Sequence, residues 1–148
     1  MLKAIIHVDS SPQWKISAAG PQGDLRMAVR HLISIVDDDA AMREALVGLV
    51  RSLGYDVRDF ASAEDFLASS DLGDFSCAIT DIQMPGMNGF ELKRALSTGH
   101  GSLPVIMITA RADPGTEEKA MSSGATCFLR KPFEAEALVN CLHRALSN

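Results

Sequence analysis

The sequence has few cysteines and none in a paired spacing. Cys77, Cys127 and Cys141 are odd in number, and no two of them form the CxxC spacing that is typical of metal and redox sites. Each of them lies in an apolar run, which favours buried thiols in a reducing compartment. The pattern therefore predicts three unpaired, buried cysteines, and a metal or redox role for them is the less favoured interpretation.

The sequence also lacks an apolar run of membrane-spanning length. Residues 1–10 hold a short apolar stretch, but His7 and Asp9 interrupt it well before the length of a signal-peptide core or a membrane span. We therefore expect a cytoplasmic protein that has no membrane partner.

The sequence also lacks a cluster of positive charge. The 148 residues include 14 Lys and Arg against 19 Asp and Glu, a formal net charge of -5, and the basic residues are dispersed. Contacts with nucleic-acid phosphates need clustered Lys and Arg. We expect that this chain by itself binds no nucleic acid.

The sequence does contain enough apolar material for one core. With 47% hydrophobic residues, 148 residues suffice for one domain and not for two. Residues 1–30 differ from the rest, because two prolines and two glycines punctuate residues 12–23 and no sustained periodicity appears. We interpret residues 1–30 as an N-terminal arm, either flexible or a non-native extension, and residues 31–148 as the domain. Residues 1–26 should be dispensable for its stability.

Short apolar runs alternate with amphipathic segments along the domain. Runs of strand length occupy residues 32–36, 55–60, 77–80, 104–109 and 125–129. Segments with helical spacing occupy residues 42–53, 62–67, 90–96, 116–121 and 134–146. Five βα units in a row predict a parallel sheet with right-handed crossovers and helices on both faces, a doubly wound α/β fold. The second run is more polar, so we expect it at an edge of the sheet.

Polar residues stand where the apolar runs end. The carboxyl ends of parallel strands meet at one edge of the sheet, and ligands bind there. The polar residues at these ends are Asp37, Asp38, Asp39, Asp81, Thr109 and Lys131. Folding should bring them together along that edge.

The acidic strand ends suit a metal ion. Carboxylates crowded at one point repel one another, and an all-oxygen acidic cluster favours a hard cation such as Mg²⁺. We interpret Asp37 and Asp38 as metal ligands, whereas Asp39 is better explained as the N-cap of the next helix. Asp81 lies between an apolar run and a turn, so its carboxylate should point into the same cluster.

The remaining strand ends indicate phosphoryl chemistry. A carboxylate can accept a phosphoryl group if a metal neutralises the incoming oxygens and a Lys and a hydroxyl hold the others. Thr109 alone would be an ordinary strand-end hydroxyl, and Lys131 alone a solvated charge. Beside two acidic strand ends, they favour a phosphoryl-accepting site.

With these motifs, the sequence resembles a response-regulator receiver domain of two-component signalling systems. The resemblance covers residues 32–146 and rests on four segments in the family's order and spacing: IVDDD at 35–39, TDIQMPGMNG at 80–89, ITA at 108–110 and LRKPF at 129–133. Any one of them could occur by chance, but not all four. The segment around Asp81 is similar to receivers of helix-turn-helix transcriptional regulators.

The resemblance implies a flavodoxin-like fold with strand order 2-1-3-4-5 and a role for each acidic residue. Asp81 would be the phosphoacceptor and Asp38 a direct Mg²⁺ ligand, whereas Asp37 would contact the ion through water or support the direct ligands. The backbone carbonyl of Gln83 would complete the protein ligands. No other cofactor is implied.

The resemblance also implies a conformational switch. Thr109 and Lys131 would hold the phosphoryl oxygens, and Thr109 would move once the group is attached. Phe128 occupies the family's switch-aromatic position, although a plain core residue would also fit there. The bond between Lys131 and Pro132 is expected to be cis. The face made by the fourth helix, fifth strand and fifth helix would then change and bind a downstream partner or a second copy of the chain.

The implied phosphodonor is a sensor histidine kinase or a phosphotransfer protein. The domain itself would be a signalling receiver rather than an enzyme, with Mg²⁺-dependent self-phosphorylation and slow autodephosphorylation as its only reactions.

Three other interpretations compete with this one. A phosphohydrolase of the haloacid-dehalogenase type also uses a strand-end Asp, Mg²⁺ and Lys, but it needs Asp-x-Asp-x-Thr or Val where this chain has DDDAA at 37–41. A flavodoxin-like cofactor carrier needs a Ser-, Thr- and Gly-rich phosphate loop, and three aspartates there would repel a phosphate. A binding module with the fold but without the chemistry is excluded only by a phosphorylation assay.

Overall fold

The computed structural model describes residues 30–147 of the chain. The predicted arm lies outside the described residues except for Arg30, and the expectation that residues 1–26 are dispensable falls outside them as well. Arg30 pairs with Asp56 at the start of the second strand, with Nη2 2.8 Å from Oδ1. The described chain therefore begins in contact with the sheet.

Five strands form one parallel sheet. They are β1 Leu32–Val36, β2 Asp56–Phe60, β3 Cys77–Asp81, β4 Val105–Thr109 and β5 Cys127–Arg130. Within the described residues their order is β2-β1-β3-β4-β5, and every neighbouring pair is parallel. The polar strand β2 lies at an edge, as predicted. The doubly wound α/β fold with strand order 2-1-3-4-5 is confirmed.

A helix follows each strand. The helices are α1 Ala40–Ser52, α2 Ala63–Leu67, α3 Gly89–Leu96, α4 Thr116–Ser122 and α5 Ala135–Leu146. A short 3₁₀ helix over Leu72–Asp74 precedes β3, and the sequence pattern did not predict it. Across residues 30–147, no helix is both long enough and apolar enough to cross a membrane.

Short polar side chains fix where the helices begin. Asp39 caps α1, because its Oδ1 accepts hydrogen bonds from two backbone N–H groups of the first turn, the shorter at 3.0 Å. Ser62 caps α2 by accepting from the Asp65 N–H at 3.0 Å. Asn88 and Glu91 form a reciprocal capping box at α3. The predicted role of Asp39 as an N-cap is confirmed. The capping box at α3 was not predicted, although Asn88 and Glu91 have the spacing that indicates one.

Different helices cover the two faces of the sheet. Alternate strand residues point to opposite faces because the side-chain period of a strand is two. The face under α1 and α5 buries the strand residues Ile33, Ile35, Cys77, Ile79, Ile106, Ile108 and Cys127. The face under α2, α3 and α4 buries Val36, Ala78, Val105 and Met107. With both faces covered, the polar strand ends are gathered at the carboxyl edge.

The cysteines depart from the prediction in one respect. Cys77 is an unpaired, buried thiol, and burial raises its pKa to about 12. Cys127 and Cys141 are also buried, but they form a disulfide between β5 and α5, with Cα atoms 5.8 Å apart. The prediction of three unpaired cysteines is wrong for this pair. The two residues are 14 positions apart in sequence and become neighbours only because α5 packs on β5.

Candidate functional site

Lys131 joins two of the predicted strand-end aspartates. Its Nζ atom lies 3.2 Å from Oδ2 of Asp37 and 3.2 Å from Oδ2 of Asp81. Asp37 follows β1, Asp81 ends β3, and β1 and β3 are adjacent in the sheet. The side chains of Asp37, Asp81 and Lys131 are only 2%, 10% and 14% exposed. This ion-paired group is therefore largely shielded from water.

Asp38 completes an acidic cluster at the same edge. One carboxylate oxygen from each of Asp37, Asp38 and Asp81 lies within 4.8 Å of the others. Asp38 is exposed while Asp37 is buried, so the cluster is open to solvent on one side. Anionic oxygen ligands that leave room for water suit Mg²⁺, which dehydrates reluctantly. The residues present fit a Mg²⁺ ion.

Asp37 is fixed by groups on three sides. Its Oδ1 accepts from the Asp39 N–H at 2.9 Å, and its carbonyl accepts from Nη1 of Arg43 at 2.7 Å. Nε of Arg43 also donates to Oδ2 of Asp59 on β2 at 3.0 Å. Arg43 thus ties the end of β1 to β2. Sequence reasoning missed it, because an arginine on an amphipathic helix carries no signal that distinguishes it from a solvated charge.

Burial and charge oppose one another at Asp81. Loss of water raises the pKa of this carboxyl, the Lys131 ammonium lowers it, and Asp37 raises it again, so that the pKa lies above its ordinary value. For Lys131, burial alone would lower the pKa, but the carboxylates of Asp81 and Asp37 raise it overall. The site therefore combines a carboxylate of increased basicity with a firmly charged ammonium.

Thr109 lies at the end of β4 and is fully buried. Its hydroxyl donates to the Arg111 carbonyl at 2.9 Å and accepts from the Arg111 N–H at 3.1 Å. The hydroxyl hydrogen is therefore directed to the loop after β4. This hydroxyl can hold a group on Asp81 only after its bond to the Arg111 carbonyl is broken.

Gln83 and Phe128 occupy the positions that the motifs predicted. The Gln83 N–H donates to Oδ1 of Asp81 at 3.3 Å, which places its peptide beside the acidic cluster. Phe128 is half-buried on β5 and packs against the core under α2, α3 and α4. The Lys131–Pro132 bond is cis, as the resemblance implied. The roles of Gln83 and Phe128 stay predictions.

The site contains the groups that phosphoryl acceptance needs. Asp81 is a nucleophilic carboxylate, Lys131 is a fixed positive charge, and Asp37 and Asp38 can share a divalent cation with Asp81. Thr109 is a hydroxyl with an alternative hydrogen-bond partner. The arrangement thus combines, at one edge of the sheet, the kinds of group that phosphoryl chemistry uses.

Known proteins resemble this chain in sequence. The family model described as "Response regulator receiver domain" matches residues 33–143. The transcriptional regulatory protein FixJ of Bradyrhizobium diazoefficiens is 35% identical over 120 residues, which cover 81% of this chain and 58% of FixJ. The response regulator protein TmoT of Ectopseudomonas mendocina is 41% identical over 117 residues, which cover 78% of this chain and 52% of TmoT. The chain spans about half the length of the curated relatives it matches.

Solved structures resemble the chain in fold. The chemotaxis protein CheY4 of Vibrio cholerae, crystallised at low pH, superposes with a TM-score of 0.73 at 30% identity, covering 80% of this chain and 100% of CheY4. The crystal structure of FixJ-N superposes with a TM-score of 0.72 at 34% identity, covering 80% of this chain and 94% of that one. Both likenesses support the doubly wound architecture that the strand order shows.

Proposed function

Since the chain belongs to the response regulator receiver domain family of two-component systems, we propose that it takes a phosphoryl group onto Asp81 with the help of Mg²⁺. The proposed donor is a sensor histidine kinase or a phosphotransfer protein. The observation that carries the proposal is Nζ of Lys131, which lies 3.2 Å from both Asp37 and Asp81 beside the open carboxylate of Asp38.

The family assignment removes two of the competing interpretations. A haloacid-dehalogenase phosphohydrolase and a flavodoxin-like cofactor carrier are different families from the one that matches residues 33–143. A receiver that keeps the fold without the chemistry is the remaining alternative. The labelling experiment below distinguishes it from the proposal.

The proposed step transfers a phosphoryl group between a nitrogen and an oxygen. A carboxylate oxygen of Asp81 forms a bond to phosphorus, and the bond from phosphorus to the donor's histidine nitrogen breaks. The departing imidazole keeps the electron pair and takes up a proton, and Asp81 becomes an acyl phosphate. Lys131 balances negative charge on the phosphoryl oxygens. Mg²⁺, when held by Asp37, Asp38, Asp81 and the Gln83 carbonyl, supplies further charge neutralisation.

Incubation of the full chain with Mg²⁺ and acetyl phosphate tests this function. We expect intact-protein mass spectrometry to show a gain of one phosphoryl group, and peptide mapping to locate it on Asp81. Chelation of the Mg²⁺ should prevent the gain. Absence of labelling in the presence of Mg²⁺ would instead identify the chain as a binding module without phosphoryl chemistry.

Asp38→Ala should weaken Mg²⁺ binding while the fold stays intact. Asp38 is exposed, so its removal leaves no cavity and also relieves repulsion among the carboxylates. The expected loss of Mg²⁺ affinity is at least about tenfold, because even groups that merely orient metal ligands cost about 10- to 100-fold when removed. A Mg²⁺ titration followed by NMR measures it.

Asp39→Asn is the matched control for Asp38→Ala. It removes the neighbouring charge but keeps the oxygen that caps α1. Equal Mg²⁺ affinities for wild type and Asp38→Ala, or an equal loss in both variants, would count against Asp38 as a ligand.

The second part of the proposal is that phosphorylation changes the surface formed by α4, β5 and α5. Thr109 would exchange its bond to the Arg111 carbonyl for one to a phosphoryl oxygen, and its displacement would open space for the Phe128 ring to turn inward. The remodelled surface would bind an output partner or a second copy of the chain. The name of FixJ, a transcriptional regulatory protein, suggests transcriptional output, which is a proposal for this chain.

Phosphorylation of the isolated domain should shift the equilibrium between its two conformations only in part. A charge-assisted hydrogen bond contributes about 1.5–3 kcal/mol, so the two from Thr109 and Lys131 contribute about 3–6 kcal/mol. Thr109 gives up a neutral bond to Arg111 worth about 1 kcal/mol. A shift from about 1:99 to 99:1 needs roughly 5.5 kcal/mol. The difference is about 2–5 kcal/mol, and Lys131 also exchanges part of its existing contact with Asp37 and Asp81. Phosphorylation alone therefore falls short of this value, and binding of a partner would complete the transition.

Thr109→Ala should permit labelling of Asp81 but uncouple it from the surface change. The substitution removes the hydroxyl that would exchange the Arg111 carbonyl for a phosphoryl oxygen, and leaves Asp81, Lys131 and the Mg²⁺ ligands in place. Sedimentation and NMR shifts over residues 104–146 are compared with and without beryllofluoride, a phosphoryl mimic. Thr109→Ser keeps the hydroxyl and should respond like the wild type. An equally large response in Thr109→Ala would refute the coupling.

The cytoplasm is the proposed location, because the proposed donor kinases act there. Homodimerisation through α4, β5 and α5 is proposed on the same basis as the switch, and the sedimentation experiment above reports on it directly.

A further inference from the structure

We propose that Glu64 is a positioning residue that sets the orientation of the loop carrying the predicted Mg²⁺ ligand Gln83. The loop comprises residues 83–88 and connects β3 to α3. Glu64 lies in the first turn of α2, a separate element, and sequence reasoning gave it no role. This inference rests on the proposed function, because it concerns the same Mg²⁺ site.

The base of the loop is closed by a tight backbone contact. The Gly89 N–H donates to the Ile82 carbonyl at 2.8 Å. A Cβ atom at position 89 would lie 2.7 Å from the Asp81 carbonyl oxygen and 2.9 Å from the Ile82 Cα, so only glycine allows this approach. The two ends of the loop are thus fixed against the end of β3.

The tip of the loop is held by Glu64. Its Oε2 accepts a hydrogen bond from the Met87 N–H at 3.0 Å. Gly86, with φ of +77°, lies directly beside the same oxygen, since a Cβ atom there would be 2.8 Å from it. Among the residues that the structure describes, Glu64 is the one side chain from outside the segment 81–91 that hydrogen-bonds to the backbone of this loop.

The predicted ligand lies between these two points of support. Gln83 is exposed, and its own restraint is the 3.3 Å bond from its N–H to Oδ1 of Asp81. That distance is at the long end for a hydrogen bond, so it restrains the peptide weakly. Its chain neighbours Ile82 and Met84 are buried in the core under α2, α3 and α4 and hold the peptide on both sides. Beyond them, the direction of the Gln83 carbonyl depends on how the tip of the loop is held, and the hydrogen bond from the Met87 N–H to Glu64 is the external restraint on that tip.

A purely electrostatic role for Glu64 is the alternative. Its negative charge could attract Mg²⁺ from a distance without touching the loop. The two roles differ in what the side chain must keep, because positioning needs an oxygen acceptor whereas attraction needs the charge. Glu64→Gln keeps an acceptor and removes the charge, and Glu64→Ala removes both.

The experiment uses the full chain and two NMR measurements on each variant. Exchange of the Met87 amide hydrogen with solvent reports whether the tip is held, and it needs no Mg²⁺. A Mg²⁺ titration then reports the affinity of the site. Asp65→Ala is the matched control, because Asp65 is the next exposed acidic residue in the same first turn of α2. Circular dichroism verifies that each variant is folded.

We expect Glu64→Ala to lose protection of the Met87 amide and to bind Mg²⁺ about tenfold more weakly, the lower end of the range for groups that orient metal ligands. Glu64→Gln should retain most of the protection and of the affinity, and Asp65→Ala should resemble the wild type. The positioning role is overturned if Glu64→Gln binds Mg²⁺ as weakly as Glu64→Ala does. It is also overturned if Glu64→Ala binds Mg²⁺ like the wild type. If the wild type itself binds no Mg²⁺, the proposed function fails and this inference fails with it, an outcome that the wild-type titration distinguishes from the others.

Discussion

Asp81→Asn should abolish phosphoryl labelling completely. The carboxylate is the proposed nucleophile, and an amide in its place is a poor nucleophile that yields no acyl phosphate. The measurement is intact-protein mass after incubation with Mg²⁺ and acetyl phosphate.

Asp74→Asn is the matched control for this result. Asp74 is exposed and precedes β3, so it lies at the opposite edge of the sheet from Asp81. The control should label like the wild type. Labelling of Asp81→Asn to the wild-type extent would refute the assignment of the phosphoacceptor.

Asp81→Asn should also raise the free energy of unfolding in the absence of Mg²⁺. Burial and Asp37 together keep the pKa of Asp81 above its usual value, so the ionised carboxylate destabilises the folded state. A neutral amide of the same shape relieves that repulsion. Loss of labelling together with increased stability would separate a chemical role for Asp81 from damage to the fold.

Lys131→Met should destabilise the protein at neutral pH without Mg²⁺, by about 3 kcal/mol. Removing one partner from a buried ion pair costs about 3–5 kcal/mol, because the remaining charge loses its compensation. Lys131 compensates two carboxylates, each 3.2 Å away, and all three side chains are less than 15% exposed. The lower end of the range applies because the cluster opens to water at Asp38. Urea unfolding gives the free energy.

Acid and Mg²⁺ should each reduce this destabilisation. Without the ammonium, the pKa of Asp81 rises further, so the carboxyl takes up a proton as the pH falls and no longer needs a countercharge. The difference between variant and wild type should therefore shrink from neutral to mildly acidic pH. A divalent cation bound by the cluster supplies the missing positive charge and should also stabilise the variant.

Lys93→Met is the control for the removal of a lysine, since Lys93 belongs to no ion pair among the described residues. It should change the free energy of unfolding little at any pH. If Lys131→Met lowers the free energy of unfolding by the same amount at every pH, the cause would be lost packing of the side chain instead of lost charge.

The residue pattern was enough to predict the fold and the identity of the strand-end residues. Apolar runs of strand length alternate with helical segments, and such alternation permits few architectures other than a doubly wound parallel sheet. Since the carboxyl ends of parallel strands share one edge, the residues after each run had to become neighbours. This reasoning predicted that Asp37, Asp81 and Lys131 lie close together. Lys131 is indeed in contact with both aspartates. Asp39 was correctly predicted to cap α1 instead of joining this cluster, because a helix N-cap is a local feature of the sequence.

The partners of these groups could not be predicted from the residue pattern, because they depend on how separate elements pack together. The bond from Thr109 to the Arg111 carbonyl depends on how the loop after β4 turns, and no residue pattern reports that turn. The contacts of Arg43 with Asp37, of Glu64 with Met87 and of Cys127 with Cys141 each join separate elements. Sequence periodicity shows which face a residue lies on, but not which side chain of another element comes within 3 Å of it. That distance is set by the packing of helices on the sheet, a property of the whole chain.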